Sequence, residues 1–169
     1  MTIVYRNATP GDAPAIDALF RQSFSDTFGH LYDPADLALF FEGLTEAAWR
    51  GEIADPDFAF RLAEEDDRLA GYAKLSSLSL PAEPAGPAVE LDQLYLLKPW
   101  HGTGMARALM DWVLAEARGR GAEELYLSVF TGNHRARRFY AGYGFEEVGP
   151  YTFMVGNHAD PDLIMRLSL

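Results

Sequence analysis

The sequence predicts an α/β fold built on one mixed sheet, and three observations carry that expectation. Apolar residues recur at helical spacing through the N-terminal third, then alternate in several short segments after residue 57, so helices and strands coexist. The elements follow the order β-αα-βββ-α-β-α-ββ, with seven strands, which excludes a helical bundle and a pure sandwich. The chain has 169 residues, of which 49% are hydrophobic and 13% aromatic, enough for one core and too few for two. A single domain over residues 1–169 is expected.

Each element has a local reason. Ile3-Val4-Tyr5-Arg6 is short and β-branched and reads as a strand. Thr9-Pro10-Gly11-Asp12 opens a helix: a hydroxyl N-cap, proline at the first helical position and an acid three residues after the cap. Ile16, Leu19, Phe20 and Phe24 then form one apolar stripe. Asp33-Pro34-Ala35-Asp36 repeats the start signal ahead of Leu37, Phe40, Phe41 and Leu44, and Thr45 opens a further helical turn with Trp49 and Ile53. Phe58, Phe60 and Leu62 alternate, Glu64 to Asp67 make a polar turn, and 69–80 is the returning strand of a hairpin. A proline-rich loop over 81–87 precedes a strand over 89–97. The turn His101-Gly102-Thr103-Gly104 leads into a helix with Met105, Leu109, Trp112 and Val113 on one face, ended by Gly119 and Gly121. Leu125, Leu127 and Val129 mark a strand and 133–141 a short helix, with strands over 145–155 and 163–167 closing the chain.

Composition narrows function. Fourteen basic against 25 acidic residues give a net charge of −11, opposite to the basic footprint of a nucleic-acid binder. There is no cysteine, which excludes disulfides, thiolate-held zinc, redox dithiols and thiol nucleophiles, and which fits a cytoplasmic location. The first ten residues lack a basic stretch followed by an apolar run, and no segment approaches the ~18 apolar residues of a membrane span, so neither a signal peptide nor a membrane association is expected. His30, His101, His134 and His158 have no ligand spacing, and no metal is expected.

A strand, a glycine-rich turn and a helix present free backbone N–H groups to an anion. A phosphate-binding loop of the Lys-Ser/Thr type is excluded because Met105 and Ala106 follow Gly104. A dinucleotide fingerprint fits poorly, since Arg107 stands at its third glycine and the turn follows the fourth strand rather than the first. The run from Pro99 to Leu109 instead resembles the pyrophosphate-binding turn of the GNAT acetyltransferase superfamily, Q/R-x-x-G-x-G/A, with His101 where that family usually has Gln or Arg. The segment Glu90 to Leu96 is similar to the family's fourth strand. Asn133 to Phe145 matches its N-x-x-A-x-x-F-Y-x-x-x-G-F signature at every position. The resemblance implies a mostly antiparallel seven-stranded sheet flanked by helices.

It also implies a direct transfer of acetyl from acetyl-CoA to an amine, consistent with the absence of an acyl-cysteine route. His101, Gly102, Thr103, Gly104, Met105, Ala106 and Arg107 would hold the pyrophosphate. The backbone of Leu94, Tyr95 and Leu96 would pair with the pantetheine arm, and Asn133 would bond the arm or cap its own helix. Tyr140 occupies the family's general-acid position; the alternative is a core tyrosine with a satisfied hydroxyl. An ammonium must lose a proton before it attacks. Glu90 or Asp92, two residues apart and on one face of a regular strand, is the expected base, with water-mediated loss as the alternative.

The expected acceptor is a primary amine of a small molecule. The tail residues 153–156 and 160–165 resemble the bacterial polyamine-acetylating type. Acetylation of a peptide, protein, amino-acid or aminoglycoside-like amine, and a non-catalytic CoA-binding sensor, are the alternatives, and a homodimer through the last two strands is a further expectation. Charge is divided along the chain. Residues 98–138 hold seven basic and four acidic side chains, a net of +3, leaving −14 elsewhere. The positive stretch carries the anion-binding turn, with Arg107 or Lys98 in reach of a 3′-phosphate, and the acidic remainder suits a cationic acceptor.

Overall fold

A computed structural model describes residues 2–169. The strands are β1 (Ile3–Asn7), β2 (Ala59–Glu65), β3 (Arg68–Ser77), β4 (Ala88–Leu96), β5 (Glu124–Phe130), β6 (Glu146–Val155) and β7 (His158–Ser168). The helices are α1 (Ala13–Phe28), α2 (Pro34–Glu42), α3 (Glu46–Ala54), α4 (Met105–Gly119) and α5 (His134–Gly142). The strands form one seven-stranded sheet in the order β1-β2-β3-β4-β5-β7-β6. Every neighbouring pair is antiparallel except β4 and β5, which α4 joins as a crossover. The predicted α/β class and strand count hold.

Local chemistry explains the helix starts. Thr9 and Asp12 form the expected capping box, with the Thr9 N–H donating to Asp12 at 2.7 Å, although the first turn is a 3-10 turn and α1 begins at Ala13. Asp33 accepts the Ala35 N–H (2.9 Å) and Thr45 the Ala48 N–H (3.1 Å), capping α2 and α3. α4 lays Met105, Leu109, Met110 and Val113 onto one sheet face, with Trp112 partly buried at its margin. On the other face Ile16, Leu19, Phe20 and Phe24 of α1 and Trp49 of α3 pack against Phe60, Leu62 and Tyr72. Each such fully buried apolar side chain stabilises the fold by about 1.5–3 kcal/mol.

Two boundaries differ from expectation. β3 ends at Ser77 rather than 80, because Ser79 and Leu80 turn their N–H groups onto the Glu90 carboxylate. β7 begins at His158 rather than 163, since Asp160-Pro161-Asp162, a loop-like tripeptide, pairs in turn with Phe153, Thr152 and Tyr151 of β6.

The feature that positions the site is a divergence in mid-sheet. β4 and β5 pair only through Ala88–Glu124, Val89–Leu125 and Glu90–Tyr126. Lys74 of β3 faces Gln93 and Leu75 faces Leu91, so Asp92 is an extra residue, a bulge that bends and twists β4 just where it leaves β5. The β5-facing backbone of β4 from Leu91 to Leu96 is left without a strand partner.

Candidate active site

The divergence opens a cavity of about 440 Å³, walled by Leu91 to Leu96 of β4, Leu127 to Phe130 of β5, the His101–Gly102 turn and the first turns of α4 and α5. Its far end lies beneath α1 and α2, against β6 and β7. The volume is that of a small-molecule site.

The turn at its mouth is built for an anion. Gly102 (φ 75°) and Gly104 (φ 89°) adopt left-handed backbone that other residues resist. The first helical bond of α4 is the Ala108 N–H to the Gly104 carbonyl (3.0 Å), so the N–H groups of Gly104, Met105, Ala106 and Arg107 have no internal acceptor. No side chain caps this end and no acid stands in its first turn. Lys98 and Arg107 are exposed nearby in sequence. A diphosphate fits this donor set.

His101 has a role its position did not suggest. Its Nε2 meets the Leu96 carbonyl at 3.0 Å and its Nδ1 meets the Arg135 guanidinium. A carbonyl only accepts and a guanidinium only donates, so this network assigns the proton to Nε2. The ring ties the turn to the end of β4 and to α5. Asn133 caps α5 by accepting the Ala136 N–H (3.3 Å) and also lines the cavity.

Tyr140 is 9% exposed, lines the cavity and has no hydrogen-bond partner for its hydroxyl among the described residues. Burial pushes its phenol well above the ordinary tyrosine range, so it stays protonated at physiological pH. A core tyrosine would have a satisfied hydroxyl; this one does not. Tyr95 of β4 has its phenol raised chiefly by burial, and the Asp92 and Asp162 charges raise it further.

The two carboxylates expected on β4 part company. Glu90, 5% exposed, accepts from the Ser79 N–H (3.0 Å), the Leu80 N–H (3.0 Å) and the Ser79 hydroxyl (3.1 Å), and it lies outside the cavity wall. Burial raises its pKa, the Ser79 N–H opposes that and the Asp92 charge adds to it. Of the two expected bases, Glu90 therefore lies away from the cavity, and its carboxylate holds the chain after β3. Asp92 does reach the cavity, ion-paired to Lys74 at 2.9 Å. Lys74 is itself buried, paired also with Glu52, and stands over the rings of Trp49, Phe58 and Phe60 at 5.6, 5.2 and 5.9 Å.

The cavity brings in groups that sequence reasoning missed: Tyr32, Asp160 and Asp162. Asp160 accepts from the Tyr32 hydroxyl and meets His158 Nε2 at 3.1 Å. Asp162 is pushed up to about 7, first by burial and then by the neighbouring Asp160 charge. The one available signal was two acids spaced two apart, the period that shares a strand face, but the proline between them masked the strand. Among the described residues no group of three or more metal-ligating side chains is found, and no helix is long and apolar enough to cross a membrane.

A diverging mid-sheet pair beside an uncapped, glycine-led helix makes a cavity with an anion-accepting mouth, and a family match says what class of protein carries it. The model of the acetyltransferase (GNAT) family matches residues 15–145, and the chain belongs to that family of acetyl-CoA-dependent acyltransferases. It is 37% identical to an uncharacterized N-acetyltransferase of Mycobacterium bovis over 155 residues, 91% of this chain and 96% of the relative. It is 31% identical to another from Lactobacillus delbrueckii subsp. lactis, over 94% of this chain and 92% of that one. The PaiA N-acetyltransferase of Thermoplasma acidophilum, solved in complex with coenzyme A, superposes with a TM-score of 0.81 at 21% identity, covering 100% of both chains. A ribosomal-protein-alanine N-acetyltransferase of Brucella melitensis superposes with a TM-score of 0.74 at 26% identity, over 98% of this chain and 99% of that one.

Proposed function

We propose that this chain, acting as one domain, moves the acetyl group of acetyl-CoA directly to a primary amine of a small molecule, with Tyr140 as proton donor. The observation that carries the reading is Tyr140, a buried side chain whose unpartnered hydroxyl opens onto the same cavity as the open backbone of β4 and the Gly102 turn. Acetyl-CoA supplies the activated acetyl as a thioester. The N–H groups over 102–107 hold its pyrophosphate, and Lys98 or Arg107 meets the 3′-phosphate. Leu94, Tyr95 and Leu96 offer free main-chain groups to the pantetheine arm, which adds to β4 as a strand would. Asn133 and the clamped His101 keep the turn, β4 and α5 in register around it.

Tyr140 gives its proton to the departing sulfur. A carboxylate of the cavity wall takes the proton of the incoming ammonium; Glu90 is committed to the Ser79–Leu80 backbone and Asp92 to Lys74. Polyamines, which the tail sequence suggests, belong in the substrate screen. A peptide amine is the second reading, favoured by the likeness to the ribosomal-protein-alanine enzyme. Exposed Val148 and Met154 on the edge strand β6 support a homodimer through that edge.

The test is coenzyme A thiol release over polyamines, monoamines, amino acids, aminoglycosides and peptides. Tyr140→Phe is expected to lower kcat about 100-fold while changing the acetyl-CoA Kd less than about twofold. Unchanged turnover in that variant rejects the assignment.

A further inference from the structure

The far end of the cavity holds a chemistry that acetyl transfer to an unspecified amine does not explain. Asp160 and Asp162, two apart on β7, point to one face and both line the cavity. They are 4% and 7% exposed. Asp160 is fully occupied, by Tyr32 and His158. Asp162 is not: no donor among the described residues reaches its carboxyl, although it is more than nine-tenths buried and faces the void. An anionic group in that position costs several kcal/mol unless something cationic meets it.

The rest of this chamber is aromatic. Phe24 stacks on Tyr32 at 5.8 Å and meets Phe40 at 5.0 Å, Phe40 meets Phe153 at 5.8 Å, and Phe28 meets Phe130 at 6.1 Å. These rings offer an apolar wall and π faces but no second carboxylate. Asp92, the third acid on the cavity, is ion-paired to Lys74, which it shares with Glu52.

We propose that Asp162, beside the Tyr32-bound Asp160 on one face of β7, is the ammonium-binding and proton-accepting group of the acceptor site, and that the acceptor is a primary amine bearing one positive charge on an apolar or aromatic body. The inference rests on the acetyl-transfer reading of this cavity and narrows its substrate. A linear polyamine is the poorer acceptor, because its second ammonium has to be desolvated against phenylalanine rings while Asp160 is already bonded to Tyr32 and His158 and Asp92 to Lys74. The nitrogen loses two protons in the reaction. Asp162 takes the first and passes it to solvent, which frees the lone pair that forms the bond to the acetyl carbon. The carbon–sulfur bond breaks with its electron pair on sulfur, which receives the Tyr140 proton, and the second nitrogen proton restores Tyr140. Tyr95 lines the same cavity as these two proton-handling groups.

The titratable and charged groups on the cavity or beside Asp162 are Asp160 and His158 of β7, Tyr32 before α2, Tyr95 and Asp92 of β4, His101 of the turn, and Arg135 and Tyr140 of α5; α1, α2, β5 and β6 present only uncharged side chains. Amine capture requires ionised Asp162, so it strengthens as pH rises through about 7.

The experiment is calorimetric titration of the full chain with 2-phenylethylamine, 2-phenylethanol and spermidine, beside thiol release from acetyl-CoA. The monoamine is expected to bind at least about tenfold tighter than the alcohol and than spermidine, and more tightly at pH 8 than at pH 5.5. Asp162→Asn is expected to weaken the monoamine at least about tenfold at pH 8, to abolish that pH dependence in both binding and kcat/KM, and to leave the acetyl-CoA Kd within about twofold. Equal binding of amine and alcohol, tighter binding of spermidine, or an unaltered pH profile in Asp162→Asn overturns the proposal. Asp162-dependent amine binding without thiol release supports this site and instead counts against the transfer chemistry.

Discussion

Asp162 is a residue whose cost to the fold and use to the site have the same origin. In the folded protein its carboxyl titrates at about 7, against about 4 in an unfolded chain. Between those values the native state holds a proton that the unfolded state has lost, so stability falls as pH rises from about 4 to about 7 and stays lowered above. Asparagine removes the charge but keeps the shape. Asp162→Asn is therefore expected to be more stable than the parent by about 2–4 kcal/mol at pH 8 and nearly equal to it at pH 4. Urea midpoints at the two pH values measure this; a gain of the same size at both, or a loss at pH 8, contradicts the burial account. Tyr140 carries the opposite lesson. Burial raises its pKa too, but for a phenol that keeps the donor loaded rather than emptied.

At the scale of elements, the β6–β7 hairpin matters beyond its own pairing. Gly156 in its turn has φ 58°, and a Cβ there would stand 2.5 Å from the Asp36 carbonyl oxygen and 2.7 Å from its Cα. Asn157 donates its N–H to the Asp36 carboxylate at 3.0 Å. The hairpin is thus keyed into α2, the helix that brings Phe40 against Phe153. Gly156→Ala is expected to cost about 2–3 kcal/mol and to raise the amine KM several-fold with the acetyl-CoA KM unchanged, because only the far chamber is displaced. An unaltered Tm rejects the close-approach argument. The same hairpin shows where sequence reading stops. Capping residues and helical stripes of α1, α3 and α4 were legible because each signal is local. Asp160-Pro161-Asp162 has the composition of a turn, and only pairing with β6 makes it a strand. The bulge at Asp92 is likewise invisible in a run of nine strand-forming residues, since it exists only as a mismatch with β3.

At the scale of the whole molecule, the charge of −11 sets the field in which substrates arrive. A cationic acceptor is drawn in and acetyl-CoA is not, except near the positive stretch that leads into α4. Raising ionic strength from about 0.02 to 0.3 M shortens the reach of that field from about 20 Å to about 6 Å. The amine KM is expected to rise about two- to fivefold over that range, and a KM that is flat or falls argues against steering. The amino-acid sequence by itself determined the α/β class, the order of the elements, the glycine turn that opens α4 and the signature around Tyr140. All of these are written in short contiguous runs whose meaning depends on backbone geometry within a few residues. Tertiary structure alone decided which carboxylate faces the cavity without a partner. Glu90 and Asp92 looked equivalent along β4, but one is taken by the chain after β3 and the other by Lys74. Asp162 reaches the cavity because β7 is laid between β5 and β6. A carboxylate's protonation depends on what surrounds it in three dimensions, and those neighbours come from segments far apart in the chain.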